Sequence, residues 1–209
     1  MNEKTLVITI PVGGLSTNCY IVAYPATGEC IIIDPGDEPE KISRIINDKK
    51  LKPTMIINTH GHFDHTGGNA ILQEEFSIPL YIHKADAEYL SEAASRLMRN
   101  VGYSSKVSKA DHLLAGDEAL KLGDISFKVL ATPGHTRGGI ALYGVGKAFT
   151  GDTLFAGDIG RADLYGGDEA ALLRSIREKL LNLPDETLVY PGHGASSTIG
   201  NEKRDNPYV

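Results

Sequence analysis

The stretch Thr59-His60-Gly61-His62-Phe63-Asp64-His65 decides how this chain is read. In an α-helix His60 and His62 would lie about 200° apart and could not share an ion. In extended backbone alternate residues face one side, so His60, His62 and Asp64 are expected to converge. His65 then points elsewhere unless the chain turns, and Thr66-Gly67-Gly68 supplies glycines for such a turn. Donors presented in two diverging directions suggest two metal ions.

These four residues do not saturate two ions, so other segments must contribute. Pro133-Gly134-His135-Thr136, Thr150-Gly151-Asp152-Thr153 and Pro191-Gly192-His193-Gly194 each place a ligand-type residue directly after a glycine, at or just beyond an expected strand end. Loops held by rigid strands are where sites are commonly built. The full set, His60, His62, Asp64, His65, His135, Asp152 and His193, contains nitrogen and oxygen donors and no sulfur. It suits two divalent ions, zinc first, with iron or manganese as options. Asp64 and Asp152 are the catalytic candidates as well as ligands. His83 and His112 lack such surroundings and read as ordinary structural or surface groups.

Around the motif, strands and helices alternate. Leu6–Ile10, Cys19–Ala23, Cys30–Ile33, Thr54–Asn58 and Pro79–Ile82 read as strands, with helices opening at Pro39 and spanning Asn69–Phe76 and Ala85–Met98. Arg99 to Leu114 reads as an irregular loop able to cover a site. Ile125–Ala131, Ile140–Tyr143, Lys147–Thr150 and Thr187–Tyr190 complete the strands, Asp168–Leu181 is a helix, and a polar tail follows. Two apolar strands end in an aspartate, at Asp34 and Asp152, which hints at a duplicated unit. The expectation is one α/β domain over residues 1–209, with sheets covered by helices.

Composition narrows the partners. The 209 residues are 41% hydrophobic and 23% charged, with a formal net charge of -6. An acidic protein offers no attractive field to nucleic acid or to a membrane surface, so neither is expected as a partner. No apolar run approaches the roughly 18 residues that span a bilayer, and no export signal is visible. Cys19 and Cys30 lie among apolar residues and read as buried thiols of a reducing, cytoplasmic compartment.

The motifs together resemble those of the metallo-β-lactamase superfamily, and the surrounding chain is similar to its glyoxalase II-like branch. The likeness runs from Ser16-Thr17-Asn18-Cys19-Tyr20 and Ile33-Asp34-Pro35-Gly36 through Thr59–His65, Gly134-His135-Thr136 and Gly151-Asp152-Thr153-Leu154-Phe155 to Gly192-His193. It implies a four-layer αβ/βα sandwich with the metals at one edge of the two sheets. It further implies that His60, His62 and His135 hold one metal, that Asp64, His65 and His193 hold the other, and that Asp152 bridges them. Asp34 is implied as an outer group orienting a ligand, in keeping with the habit of ligating histidines to donate their second N–H. Asp152 stands where true β-lactamases of the superfamily carry cysteine, and His62 where its di-iron oxygen reductases carry glutamate.

Metal binding lowers the pKa of water from 15.7 to about 7, so a hydroxide bridging two such ions is a nucleophile at neutral pH. A thioester suits this equipment, because a thiol of pKa about 8.5 leaves without a dedicated acid. Two ions, two carboxylates and a hydroxide leave about one positive charge in the site, which favours a small anionic thioester such as S-lactoylglutathione. Arg161 is the candidate carboxylate clamp, with a salt bridge to Asp163 as its other reading, and Tyr103 is a candidate pocket wall.

Glyoxalase II carries a further C-terminal helical domain that grips glutathione, and a Gly-Lys-Phe-Tyr segment where this chain has Gly160-Arg161-Ala162-Asp163. The compact form resembles small bacterial and archaeal glyoxalase II-like proteins. The same segment fits the persulfide dioxygenases of this branch, which use a single iron held by the equivalents of His60, His135 and Asp152. Lactone or phosphodiester hydrolysis, and metal binding without turnover, are the remaining options.

Overall fold

The computed structural model describes residues 5–92 and 107–209. Its first sheet holds six strands in chain order: β1 (Leu6–Val12), β2 (Thr17–Ala23), β3 (Glu29–Ile33), β4 (Lys52–Ile57), β5 (Leu80–His83) and β6 (His112–Leu114). The first three form an antiparallel meander, and β3 to β6 run parallel. The crossovers that parallel strands require carry α1 (Pro39–Asp48), the short α2 (Phe63–Thr66) and α3 (Asn69–Phe76).

The second sheet also opens with a meander and then takes a parallel strand. β7 (Ala119–Leu122), β8 (Ile125–Ala131), β9 (Ile140–Gly144) and β10 (Lys147–Gly151) form an antiparallel meander. β10 then pairs in parallel with β13 (Leu188–Pro191), whose other edge takes β14 (Ser197–Thr198). A small ribbon of β11 (Leu154–Phe155) and β12 (Asp158–Ile159) follows β10. The helices of this half are α4 (Glu169–Ser175), continued as a wider turn to Leu180, and α5 (Ile199–Asp205).

Side-chain alternation along the strands builds the layers. Cys19, Ile21, Cys30 and Ile32 point outward and pack with Ile42 and Ile46 of α1 and Leu72 of α3. The intervening Tyr20, Val22, Ile31 and Ile33 point inward and meet Phe127, Val129, Leu142 and Phe149 of the second sheet. On the far face, Ala141 and Val189 pack under Leu172, Ile176 and Ile199. Helices, sheet, sheet and helices therefore stack as the expected αβ/βα sandwich. With both faces covered, β2 is buried at every position, and the uninterrupted apolar run of β3 has the same cause.

Three local expectations need correction. The helix expected from Ala85 is a 3₁₀ segment, Lys84–Leu90, capped by the His83 side chain, and the remainder of that expectation lies outside the described residues. The end of the loop expected from Arg99 is strand β6, added in parallel to β5. The polar tail is folded: Thr198 caps α5, and buried Glu202 accepts from Gly157 N–H and Asn206. Its helix carries one buried apolar residue, Ile199, so no periodic signal announces it.

Candidate metal centre

His60 and His62 leave the C-terminal end of β4, His135 lies between β8 and β9, and Asp152 and His193 follow β10 and β13. In the parallel register of those last two strands Gly151 stands opposite Pro191, so their loops emerge side by side. Thr17 bridges to His193, and Asn18 and Tyr20 donate to the Pro191 carbonyl, which fastens the second sheet's loop to the first sheet. Three groups of donors result: His60, His62 and His135; His60, His65 and Asp152; and Asp64, His65 and His193. Within each, the ligand atoms lie no more than 4.8 Å apart.

The expected convergence of Asp64 with His60 and His62 is corrected. Extended backbone ends at His62, and α2 starts at Phe63, so Asp64 swings to the other group. Its Oδ2 is 3.5 Å from His65 Nε2 and 3.3 Å from His193 Nε2. The glycines after the motif do not make the turn, since Gly67 and Gly68 have ordinary φ angles of -61° and -86°. They are needed for close approach: a Cβ on Gly67 would sit 2.3 Å from the Gly36 carbonyl oxygen. The glycine before each remaining ligand is also a matter of space. Gly134, at φ 142°, lies against Leu172 of α4, and a Cβ on Gly192 would fall 2.0 Å from Asp152 Oδ1.

The partners of the outer ring nitrogens assign the tautomers. Carbonyl oxygens only accept, so His135 Nδ1–H donates to Arg161 (2.7 Å) and His193 Nδ1–H to Leu15 (3.1 Å). Asp34 accepts from Thr59 N–H at 2.7 Å and from Thr59 Oγ1 at 2.6 Å, and from His65 Nδ1 at 3.0 Å. With its hydroxyl proton committed, Thr59 Oγ1 can accept from His60 Nδ1, 3.2 Å away. The Nε2 lone pairs of all four rings therefore face inward.

This network fits metal ions better than protons. Nε2 of His60 and of His135 lie 3.1 and 2.8 Å from His62 Nδ1, and one N–H there can satisfy only one of them. His65 Nε2 and Asp152 Oδ1 are buried without a hydrogen-bond partner among the described residues, 3.4 Å apart. Buried polar atoms are seldom left so, and a cation between them would satisfy both. Asp152 Oδ2 lies 3.6 Å from His135 Nε2 and 3.5 Å from His193 Nε2, so this one carboxylate reaches both histidine groups.

A family model described as the metallo-beta-lactamase superfamily matches residues 12–193. The chain belongs to that superfamily. It is 40% identical over 205 residues to the probable metallo-hydrolase YqgX of Bacillus subtilis, covering 96% of this chain and 95% of the relative. It is 36% identical to the hydroxyacylglutathione hydrolase GloC of Haemophilus influenzae, covering 96% of each. Among solved structures it is similar to the BLEG-1 B3 metallo-beta-lactamase, with TM-score 0.91 and 38% identity over 97% of this chain and 99% of that one. A di-iron-bound form of TTHA1623 gives TM-score 0.85 and 38% identity over 97% and 100%.

Charge in this superfamily site is divided. Burial, then the neighbouring imidazoles, hold His60 well below the usual histidine range, and burial with His135 takes His62 down to about 4. Burial also opposes charge on His65, but Asp152 and Asp34 outweigh it and lift that ring to about 9. His193, against Asp152 and Asp64, rises to about 10 in the same way. Burial raises the Asp64 and Asp152 carboxyls, yet His193 and His65 hold both below the usual carboxylate range. One side thus gathers neutral imidazoles, and on the other protons stand where a cation would be held.

Asp86 escaped sequence reading. Fully buried in the 3₁₀ segment, it accepts from Gly61 N–H (2.9 Å), Thr136 Oγ1 (2.7 Å) and Gly138 N–H (2.6 Å), tying the His60 loop to the His135 loop. Its only sequence signal was an acid between two alanines after a strand. Thr17 was likewise missed as a donor, 2.9 Å from Asp64 Oδ2. The structure pairs the Arg161 guanidinium with Asp163 through two 2.7 Å bonds, leaving its carbonyl as the group that meets the site. Tyr103 lies outside the described residues. His83 caps its turn and His112 stacks on Tyr81, both structural uses. Cys19 and Cys30 are free, buried and raised by burial, Cys30 to about 12. No helix among the described residues is long and apolar enough to cross a membrane.

Proposed function

We propose that this chain is a dinuclear metallo-hydrolase of anionic acyl-thioesters, with S-lactoylglutathione as the representative substrate. The observation that carries the reading is the pair of inward-facing histidine groups with one carboxylate, Asp152, reaching both. On this reading His60, His62 and His135 would hold one divalent ion and Asp64, His65 and His193 a second, with Asp152 placed within reach of both groups. Ions held there would supply an acidified water and a Lewis acid for the carbonyl. The chain's own residues keep four Nε2 lone pairs turned inward, and Thr17 Oγ1 orients the Asp64 carboxylate. Asp64 and Asp152 are held below the usual carboxylate range and so carry no proton to give, which suits a thiolate leaving group that needs none.

Loss of the thioester is followed in protein loaded separately with zinc and with iron. Hydrolysis that disappears in His60→Ala and in Asp152→Ala supports the reading, and no hydrolysis with either metal overturns it. The segment Gly160-Arg161-Ala162-Asp163 favours a second reading, a mononuclear-iron persulfide dioxygenase on His60, His135 and Asp152. Oxygen uptake with glutathione persulfide by the iron form would install that reading in its place. The similarity to a B3 metallo-beta-lactamase makes a cephalosporin the third substrate to run beside them.

A further inference from the structure

We propose that Arg137 is the specificity-determining residue for the anionic substrate, its guanidinium receiving a carboxylate of the thiol half; the inference rests on the thioesterase reading above. Arg161 is committed to Asp163 in a two-pronged pair on the surface. Arg137 is exposed, stands two residues beyond His135, and has no carboxylate partner among the described residues. Its guanidinium carbon lies 5.5 Å from the centroid of the Tyr165 ring, a cation–π seat that limits its wandering without neutralising it.

That seat leads to the metal centre through contiguous rings. Tyr165 and Tyr89 are 6.3 Å apart between centroids, and Tyr89 and His62 meet in a T-shaped pair with centroids 5.6 Å apart. The Tyr89 hydroxyl donates to the Tyr165 carbonyl at 2.8 Å, which holds the loop in place. Gly166 leaves room between them, since a Cβ there would lie 3.2 Å from the Tyr89 oxygen and 3.6 Å from Arg137 Cγ. Leu164 and Tyr165 expose 42% and 66% of their surface, an apolar rim for the stem of a substrate. A fully extended tripeptide spans about 10 Å, and on this proposal the thioester carbonyl of such a thiol lies among the histidines while a terminal carboxylate points toward this rim. A planar guanidinium suits that carboxylate bidentately, which an ammonium cannot do.

The test compares S-lactoylglutathione with the uncharged S-lactoyl-N-acetylcysteamine in wild type, Arg137→Ala and Arg137→Lys. Arg137→Ala should lower kcat/KM for the charged thioester about 10-fold or more, mainly through KM, and leave the neutral one within about 2-fold. Arg137→Lys should recover part of the loss. Calorimetry on the metal-loaded protein supplies a readout without turnover. Wild type should bind S-hexylglutathione more tightly than its dimethyl ester, and Arg137→Ala should erase the difference. Equal losses on both thioesters, or an acid preference that survives Arg137→Ala or is absent in wild type, would overturn the assignment. If wild type turned over neither thioester, the thioesterase reading would fail, while the calorimetric comparison would still decide the role of Arg137.

Discussion

Asp34 and Asp152 occupy corresponding places in the two halves. Each follows the last strand of an antiparallel meander, β3 or β10, and that strand takes a parallel partner along its other edge. They approach the same ring from opposite sides: Asp34 lies 3.0 Å from His65 Nδ1, and Asp152 Oδ1 lies 3.4 Å from His65 Nε2. Their surroundings differ. Asp34 sits at φ 51°, an unusual angle for aspartate, and the chain supplies it with donors from Thr59 and His65. Asp152 Oδ1 has no hydrogen-bond partner among the described residues. One strand end therefore places a proton, and its counterpart keeps an acceptor free for a cation.

Removing the unpartnered member should do the most damage. Asp152→Ala takes away the carboxylate that reaches both histidine groups, and we expect kcat/KM to fall on the order of 10³-fold, about 4 kcal/mol of transition-state stabilisation. Bound metal per chain, measured by atomic emission, should drop from two ions toward one or none. Full occupancy with full turnover would mean that the two aspartates are not specialised in this way.

Asp86 tests whether the two halves' loops depend on a third, purely internal carboxylate. Asp86→Ala strands two amide N–H groups and a hydroxyl in the interior, each costing about 1–3 kcal/mol before relaxation. We expect about 3 kcal/mol of lost stability in denaturant titration of the metal-free protein. Unchanged stability would show that water reaches these groups freely.

How much of this was legible follows from which signals are local. His60, His62, Asp64 and His65 stood out by their density in one short stretch, and His135, Asp152 and His193 because each follows a strand end and a glycine, the steric need for which is visible at Gly134 and Gly192. The layers were legible because β2 and β3 are apolar on both faces. The partition of the motif was not: placing Asp64 depends on where extended backbone gives way to helix, and that point is set by the Asp34-Pro35-Gly36 loop lying against Asp64, with a Gly36 Cβ falling 1.5 Å from its carbonyl oxygen. Asp86 and Glu202 acquire their importance only from donors distant in sequence, so no pattern around them could announce it. The likeness of Asp34 and Asp152 extends to the strand before each, the last of a meander with a parallel neighbour, while the two sheets differ in the length of the meander and in the strands beyond it.

A substitution without loss of volume probes the satisfied aspartate. Asp34→Asn can still accept from Thr59 N–H, but its amide NH₂ then faces His65 Nδ1, and two donors cannot share that contact. His65 must turn its lone pair toward residue 34 and its proton toward Asp152, where a cation is proposed. Changes of this kind typically cost 10–100-fold in metal affinity. Chelator competition should register that loss while far-UV circular dichroism stays unchanged. Undiminished affinity would reduce Asp34 to a fastening for Thr59.

The smallest effect concerns the one carboxylate that draws help from the edge of β2. Thr17 Oγ1 donates to Asp64 Oδ2 at 2.9 Å, and Thr17 is itself buried beside His193 through its backbone bridge. Thr17→Val keeps shape and volume and removes only the hydroxyl. A hydrogen bond to a charged acceptor contributes about 1.5–3 kcal/mol, and part of that is recovered when a metal ion binds the same carboxylate. We therefore expect about a 3- to 10-fold loss in kcat/KM. The loss should be confined to the Asp64, His65 and His193 group, so the second metal equivalent should weaken and the first should not. Equal weakening of both equivalents would mean that Asp64 is coupled to the whole cluster, and the contrast between a satisfied and an unpartnered carboxylate would then belong to the site as a unit and not to its two halves.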